Sequence, residues 1–220
     1  MSGAGNGRRV NALLLDLDGT LVDSRADIAG SVNYTLGVLG RPTLSVEVIQ
    51  RFVGDGVRQL LQRAAGAGEG LDLVRAVEIF LPHYLIHCAD TTVLYPGVRE
   101  TLTALKGTAM AVVTNKPAAH TQKTLAKLGL EDFFHVVLAG DSLPTKKPAP
   151  EPLWEALRRM GVDRSSAFMV GDSLVDIGAA RAAGIPVAAV TYGFRPADEL
   201  RAAAPDLILS QFSELVEVLR

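Results

Sequence analysis

The feature that most constrains the fold of this chain is an apolar run that ends in two carboxylates. The run includes Leu13 to Leu15, and Asp16 and Asp18 follow it, with Gly19 and a threonine hydroxyl directly after. Hydrophobic residues at this density are typical of a strand that is buried on both faces. Because residues two apart in a strand point to the same side, both carboxylates are predicted to project together where the strand ends.

Helical periodicity follows this strand, and a repeating strand and helix pattern comes after it. Between residues 25 and 93 no convincing strand occurs, and Ile28, Val32 and Leu36 recur at helical spacing, so about four helices are predicted there. Further strands are predicted at residues 109–114, 136–139, 167–170, 187–191 and 207–209, with helices between them. Repeated strand and helix units favour an α/β fold with a doubly wound parallel sheet.

Individual residues mark the limits of the helices and of the domains. Ser45 and Asp72 are predicted N-caps, and Pro82 is predicted to kink or break the helix that contains it. The chain is predicted to leave the sheet near Ser24 and to return near Tyr95. A core of residues 1–24 and 95–220, with a helical cap of residues 25–94 inserted into it, is therefore expected.

Composition argues against several classes of partner. The net charge of the 220 residues is −2 at pH 7 and the basic residues are scattered, which gives no support for binding to nucleic acid or to an acidic membrane. Cys88 is the only cysteine, so no internal disulfide is possible and a reducing compartment is the simplest setting. The polar segment of residues 1–9 precedes too short an apolar stretch for a signal peptide or a membrane span. We expect a cytoplasmic monomer or homodimer that acts on a small molecule.

Polar residues follow four of the predicted strands, where ligands of open α/β sheets collect. They are Asp16 and Asp18, then Thr114-Asn115-Lys116, then Asp141-Ser142 with Lys146-Lys147-Pro148, and then Gly171-Asp172-Ser173 with Asp176. Together they offer a nucleophile, carboxylates for a metal ion, hydrogen-bond donors and a cation, as phosphoryl transfer requires. Each group alone also suits a strand-end turn, a solvated loop or a helix cap.

The string from residue 16 to residue 24, Asp-Leu-Asp-Gly-Thr-Leu-Val-Asp-Ser, resembles the first motif of the haloacid dehalogenase phosphatase superfamily. Its second motif is similar to Val113-Thr114-Asn115, its third to Lys147-Pro148, and its fourth to Gly171-Asp172-Ser173-Leu174-Val175-Asp176. The resemblance covers the whole predicted core. It implies a Rossmann-like core with an inserted helical cap, and Mg²⁺-dependent hydrolysis of phosphomonoesters through an aspartyl-phosphate.

The resemblance also implies a role for each motif residue. Asp16 would be the nucleophile, and Asp18 the general acid and base. Mg²⁺ would be held by Asp16, by the backbone carbonyl of Asp18 and by Asp172. Asp176, one helical turn beyond Asp172, would bind the ion or, as we favour, support a residue that binds it. Lys147 would neutralise the nucleophile and the phosphoryl group.

Binding of the phosphoryl group is implied for a set of small and polar residues in the same motifs. These are Gly19, Thr20, Thr114 and Asn115, together with the Lys147 ammonium group. Thr114 is also expected among the catalytic residues.

Three further stretches resemble the bacterial phosphoglycolate phosphatases within this superfamily. They are Phe52-Val53-Gly54-Asp55-Gly56-Val57, Tyr95-Pro96-Gly97-Val98 and Ala139-Gly140-Asp141-Ser142-Leu143-Pro144. The implied substrate is 2-phosphoglycolate. Its carboxylate is expected to meet backbone amides around Gly54 and Gly56 and the guanidinium group of Arg58.

Other functions remain open at this point. The same core and cap suit another small-molecule phosphatase, a pyrophosphatase or a β-phosphoglucomutase-like phosphotransferase. A catalytically silent protein that binds a phosphorylated ligand is the non-enzymatic alternative. The intact quartet of Asp16, Asp18, Lys147 and Asp172 argues against that alternative, because a silent relative has little need of all four.

Overall fold

The computed structural model of the chain describes residues 10–66 and 70–219. Residues 1–9, on which the prediction of no signal peptide rests, lie outside this part. The strands are β1 (Ala12–Leu15), β2 (Val22–Asp23), β3 (Val93–Leu94), β4 (Ala109–Val113), β5 (Val136–Leu138), β6 (Ala167–Gly171), β7 (Val187–Val190) and β8 (Leu207–Leu209).

Six of these strands form one parallel sheet in the order β5-β4-β1-β6-β7-β8. The chain adds strands outward from β1 first in one direction and then in the other, which confirms the doubly wound sheet. The direction reverses between β1 and β6, which pair in register from Ala12 with Ala167 to Leu15 with Val170. Ligands of such sheets bind outside the carboxyl ends of the strands at this reversal. Asp16 follows β1 and Asp172 follows β6 at this point.

Helices cover both faces of the sheet. They are α1 (Arg25–Val38), α2 (Val46–Gln50), α3 (Val57–Ala64), α4 (Leu73–His87), α5 (Val98–Ala104), α6 (Ala118–Lys127), α7 (Glu151–Met160), α8 (Leu174–Ala183), α9 (Ala197–Ala202) and α10 (Leu215–Val218). Alternate residues of β1 point to opposite faces: Leu14 packs in the cluster that includes α7 and α8, and Leu13 and Leu15 in the opposite cluster. Both faces are buried, as the continuous apolar run predicts.

The four helices α1 to α4 build a separate apolar cluster beside the sheet. Ile28, Val32 and Leu36 of α1 are buried in it, and Phe194, which follows β7, packs into the same cluster. The predicted caps are confirmed: the Ser45 side chain accepts a hydrogen bond from the Val48 amide, and Asp72 caps α4 in the same way. In the described residues, no helix is both long enough and apolar enough to span a membrane.

Two local predictions are wrong, each for a physical reason. Helix α4 runs through Pro82 as one element, so the predicted break is wrong and the predicted kink stays a prediction. Phe80 and Tyr84 on either side are buried in the cluster, and their packing outweighs one missing hydrogen bond. Two short strands were also not expected. Strands β2 and β3 form an antiparallel ribbon that pairs Val22 with Leu94, and two residues are too few to show an alternating pattern. The division into core and cap domains stays a prediction.

Candidate active site

Asp16 is fixed at the end of β1 by the continuing ladder of the sheet. Its amide donates to the Val170 carbonyl oxygen at 3.0 Å, so the backbone stays in register with β6 after the strand ends. Its carboxylate is buried, and Oδ1 lies 2.9 Å from Nζ of Lys147. The Lys147 side chain, itself buried, makes a second ion pair of 2.5 Å with Asp176. The first and fourth motifs therefore share one cation, which comes from the third.

Asp172 lies between two glycines that must remain glycine. Its Oδ2 accepts a hydrogen bond of 2.6 Å from the Phe194 amide. A Cβ atom added to Gly193 would come within 2.4 Å of the Asp172 side chain, and one added to Gly19 within 2.1 Å of Oδ2. Gly19 also has a φ of +86°, which side-chain-bearing residues rarely adopt. Both glycines allow the chain to pack closely around this carboxylate.

Asp176 combines a structural role with its place in the site. The Ser173 side chain caps α8 by accepting from the Asp176 amide, and the Asp176 carboxylate accepts in return from the Ser173 amide and hydroxyl at 3.1 and 2.6 Å. This reciprocal pair is a capping box. The cap orients Asp176 toward Lys147, so the same side chain ends the strand-to-helix turn and holds the cation of the site.

The carboxylates gathered here suit a hard divalent cation. Oxygen atoms of Asp16, Asp172 and Asp176 all lie within 4.8 Å of one another, and all three residues are buried. Burial and the nearby Asp176 raise the pKa of Asp16 to about 7, although Lys147 opposes the shift. Burial and the charge of Asp16 also raise the pKa of Asp172 well above its usual range. Asp16 and Asp172 therefore resist ionisation side by side, and an oxygen-binding ion such as Mg²⁺ would stabilise their charged forms.

Asp18 is held by donors from two different parts of the chain. Its Oδ1 accepts from the Ser24 hydroxyl at 2.6 Å and from Lys116 Nζ at 2.9 Å. The same ammonium group donates to the hydroxyl of Tyr84, which comes from α4. Burial alone would lower the pKa of Lys116, but Asp18 and Tyr84 raise it above its usual range, so the group is charged at neutral pH. The sequence analysis placed Lys116 at this strand end without giving it a role, and it did not indicate Tyr84.

Thr114 and Asn115 lie where β4 ends, as expected. The Thr114 hydroxyl oxygen accepts from the Lys116 amide at 3.2 Å, which shapes the turn after the strand. Asn115 Nδ2 donates to the carbonyl oxygens of Gly54 and Lys147 at 2.8 and 2.9 Å. Asn115 therefore ties the loop before α3 to the segment that carries Lys147. In the described residues, Asn115 Oδ1 and the buried hydroxyl of Thr20 have no hydrogen-bond partner.

Side chains from the sheet domain also bind the loop of residues 51–56 through its carbonyl oxygens. Arg195 donates to Arg51 and Val53 at 2.6 and 2.9 Å, and Lys146 Nζ donates to Asp55 at 2.5 Å. Gly56 has a φ of +92°, which side-chain-bearing residues rarely adopt, and a Cβ atom there would come within 2.6 Å of this ammonium group. Arg195 is a further residue that the motifs did not indicate.

A cavity lies between this loop, α4 and the strand ends. Its polar lining includes Asp16, Asp18, Thr114, Asn115 and Lys116, and its backbone lining includes Gly54 and Gly56. Arg58 lies exposed on α3 and is not among the residues that line the cavity, and its contact with a substrate stays a prediction. Lys116 and Tyr84 occupy the wall instead.

Comparison with known proteins places these features in a family. Residues 13–190 match the family model of the haloacid dehalogenase-like hydrolases. The chain is 39% identical to the phosphoglycolate phosphatase of Colwellia psychrerythraea over 213 residues, which cover 93% of this chain and 94% of that protein. It is 40% identical to the plasmid phosphoglycolate phosphatase of Cupriavidus necator, and the match covers 94% of this chain and 92% of that protein. The crystal structure of a predicted phosphoglycolate phosphatase from Haemophilus somnus superposes with a TM-score of 0.89 at 34% identity, covering 96% of this chain and 98% of that one.

Proposed function

The chain belongs to the haloacid dehalogenase-like hydrolase family and is a phosphatase, and from that premise we propose that it hydrolyses 2-phosphoglycolate with Mg²⁺ through an aspartyl-phosphate. The observation that carries this proposal is the buried group in which Lys147 lies 2.9 Å from Asp16, with Asp172 and Asp176 beside them. The names of the phosphoglycolate phosphatases that the chain resembles support the choice of substrate.

In the first half-reaction a carboxylate oxygen of Asp16 attacks phosphorus. The bond between phosphorus and the ester oxygen breaks, and Asp18 donates its proton to the departing glycolate oxygen. Lys147 neutralises negative charge on Asp16 and on the phosphoryl group. Its ion pairs with Asp16 and Asp176 fix the position of its ammonium group. A cation that is already in position avoids reorganisation during the reaction.

In the second half-reaction water attacks the phosphorus of the aspartyl-phosphate. Asp18, now ionised, takes a proton from this water, and the bond between phosphorus and the Asp16 oxygen breaks to release phosphate. The hydrogen bonds from Ser24 and Lys116 hold Asp18 in one place for both steps. One side chain can thus serve as the acid and then as the base.

The proposed Mg²⁺ ligands are Asp16, the backbone carbonyl of Asp18 and Asp172, with Asp176 in support. A bound divalent cation would neutralise the charge of the phosphoryl oxygens. Gly19 and Gly193 leave the space that keeps Asp172 close to Asp16. Gly19, Thr20, Thr114 and Asn115 are proposed to surround the phosphoryl group, and the unpartnered hydroxyl of Thr20 is a free donor for this purpose.

The helical segment of residues 25–94 is proposed as a cap domain that selects the organic part of the substrate. Its contribution to the cavity is largely apolar, from Ile28, Val53, Val57, Leu60 and Phe80. We place the protein in the cytoplasm, as a monomer or homodimer.

The test is phosphate release from a panel of small phosphomonoesters, measured with Mg²⁺ and after removal of metal by EDTA. We expect 2-phosphoglycolate to give the highest kcat/KM and EDTA to abolish turnover. Mass spectrometry of acid-quenched enzyme should show one phosphoryl group on the peptide that contains Asp16. Full activity after metal removal would contradict the metal site, and a preference for another ester would contradict the substrate.

A further inference from the structure

Lys116 and Tyr84 form a patch of hydrogen-bond donors on the wall of the cavity. An ammonium group has three N–H donors, and Lys116 uses one on Asp18 and one on the Tyr84 hydroxyl. Because this hydroxyl oxygen accepts from lysine, its own proton is free to be donated. Burial raises the pKa of Tyr84 above its usual range, so the proton is present at neutral pH.

Neither of the two remaining donors has an acceptor among the described residues. One is the third N–H of Lys116 and the other is the O–H of Tyr84, and both residues are among those that line the cavity. The Lys116 side chain is 1% exposed and Tyr84 as a whole residue is 3% exposed, so bulk water does little to satisfy these donors. Two donors at one wall match the two oxygens of a carboxylate.

No second cationic side chain competes for an anion in the described lining of the cavity. Among the described residues that line this cavity, Lys116 is the only one with a cationic side chain. The other charged side chains there are Asp16 and Asp18, which would repel an anion. Val57, Leu60 and Phe80 contribute apolar surface from the helical side.

We propose that Lys116 and Tyr84 together bind a second anionic group of the substrate. This inference rests on the proposed function, which sets the phosphoryl group at Asp16. Because Lys116 Nζ lies 2.9 Å from Asp18, the second anion must sit close to the residue that protonates the leaving oxygen. The substrate class is therefore a short phosphorylated hydroxy acid, in which one or two carbons separate the ester oxygen from the carboxylate.

The same contacts distinguish this role from simple support of Asp18. If Lys116 only held Asp18 in place, its loss would weaken the reaction of every phosphomonoester alike. If Lys116 binds the second anionic group, its loss reduces the preference for a ligand with a charged tail over a ligand that has the same phosphoryl group and a neutral tail. The experiment therefore compares two ligands in each variant.

Binding is measured by calorimetry with two phosphonates that the enzyme cannot hydrolyse, in the presence of Mg²⁺. The first, 3-phosphonopropionate, matches 2-phosphoglycolate with a methylene in place of the ester oxygen. The second, 3-hydroxypropylphosphonate, has the same length and a neutral tail. Wild-type protein should prefer the charged ligand, and Lys116→Met and Tyr84→Phe should each reduce that preference by about tenfold or more. Tyr84→Phe removes only a hydroxyl and tests the inference even if Lys116→Met does not fold.

Lys123→Met is the matched control. Lys123 donates to the carbonyl oxygens of Leu85 and Ile86 at the end of α4, so its loss affects the same helix without changing the cavity lining. We expect the preference to stay at the wild-type value in this variant.

The inference is overturned if wild-type protein binds the two phosphonates equally, or if the preference survives in both cavity variants. It is also overturned if Arg58→Ala removes the preference while Tyr84→Phe keeps it. A wild-type protein that prefers the charged phosphonate but hydrolyses no phosphomonoester would contradict the proposed function and leave this inference standing.

Discussion

Lys147 Nζ lies 2.9 Å from Oδ1 of Asp16, and both groups are buried. A buried carboxylate is costly unless a cation and hydrogen bonds compensate for the lost water. Here the same ammonium group also serves Asp176, so neither aspartate is fully neutralised by it. A ligand that brings further positive charge, such as a divalent cation, would therefore stabilise both aspartates.

Asp16→Asn should abolish turnover and leave the protein folded. An amide is nearly isosteric with a carboxylate but is a poor nucleophile, and Lys147 keeps its ion pair with Asp176 in the variant. Phosphate release and circular dichroism would be measured on the same preparation. Turnover close to that of the wild type would remove Asp16 from the role of nucleophile.

Stabilisation by Mg²⁺ should increase with pH. The pKa of Asp16 is raised to about 7, so in metal-free protein its contribution to stability is complete below the unfolded pKa and is lost as the pH rises through about 7. Mg²⁺ competes with protons for the same oxygens, so it restores more stability at high pH. Thermal unfolding with and without Mg²⁺, at about pH 5 and about pH 8, would measure this. An equal effect of Mg²⁺ at both pH values would contradict the prediction.

Gly193→Ala should weaken Mg²⁺ binding and activity without removing any polar group. The added Cβ atom would lie within 2.4 Å of the Asp172 side chain and within 2.5 Å of the Gly19 carbonyl oxygen, so Asp172 must move. Calorimetric titration with Mg²⁺ would report the change. Gly107→Ala is the control, because a Cβ atom there has nothing within 4 Å, and its affinity for Mg²⁺ should equal that of the wild type.

Asp27→Asn should destabilise the fold by about 1–3 kcal/mol. The buried Asp27 carboxylate accepts from the amides and hydroxyls of Thr91 and Thr92, at 2.6–3.1 Å, and ties the start of α1 to the segment before β3. Although burial opposes the shift, these hydrogen bonds lower the pKa of Asp27. The contribution of Asp27 to stability is therefore present above the pKa that the group has in the unfolded chain. It is lost as the pH falls through the lower pKa that the group has in the folded protein.

Urea unfolding of wild type and Asp27→Asn would measure this difference at neutral and at acidic pH. The difference in free energy of unfolding between the two proteins should be smaller at acidic pH. Asp198→Asn is the control, since Asp198 is exposed and pairs with Arg201 on the surface, and it should change stability by less than about 0.5 kcal/mol. A difference that stays constant down to the lowest pH would contradict the assignment to Asp27.

Much of the fold follows from local patterns in the sequence. The apolar run before Asp16 predicts a central strand because both faces of a parallel sheet are buried, and the structure pairs β1 on both sides. Ser45 and Asp72 mark helix starts because capping is a contact within one turn. Predictions of this kind succeed because the interactions that decide them lie close together in the chain.

The missed site residues depend on contacts between distant segments. Lys116 follows Thr114 and Asn115 at a strand end and was noted there, but its partner Asp18 is 98 residues away. No local pattern indicates that a tyrosine of α4 would meet this ammonium group. Gly193 and Arg195 lie in a loop after β7 that carries no motif, and only the close approach to Asp172 and to residues 51–53 reveals their use.

The ribbon of β2 and β3 has a consequence for how this fold can change over evolution. Because Val22 pairs with Leu94, the chain leaves the sheet and returns to it within one interstrand spacing of about 4.8 Å. Closing a loop costs only about 0.6 kcal/mol more for each doubling of its length. An insertion anchored in this way can be lengthened, shortened or exchanged while the strand ends that carry the chemistry keep their places. Residues 25–94 are one contiguous stretch of the gene, so a replacement there would leave the ends of β1, β4 and β6 unchanged.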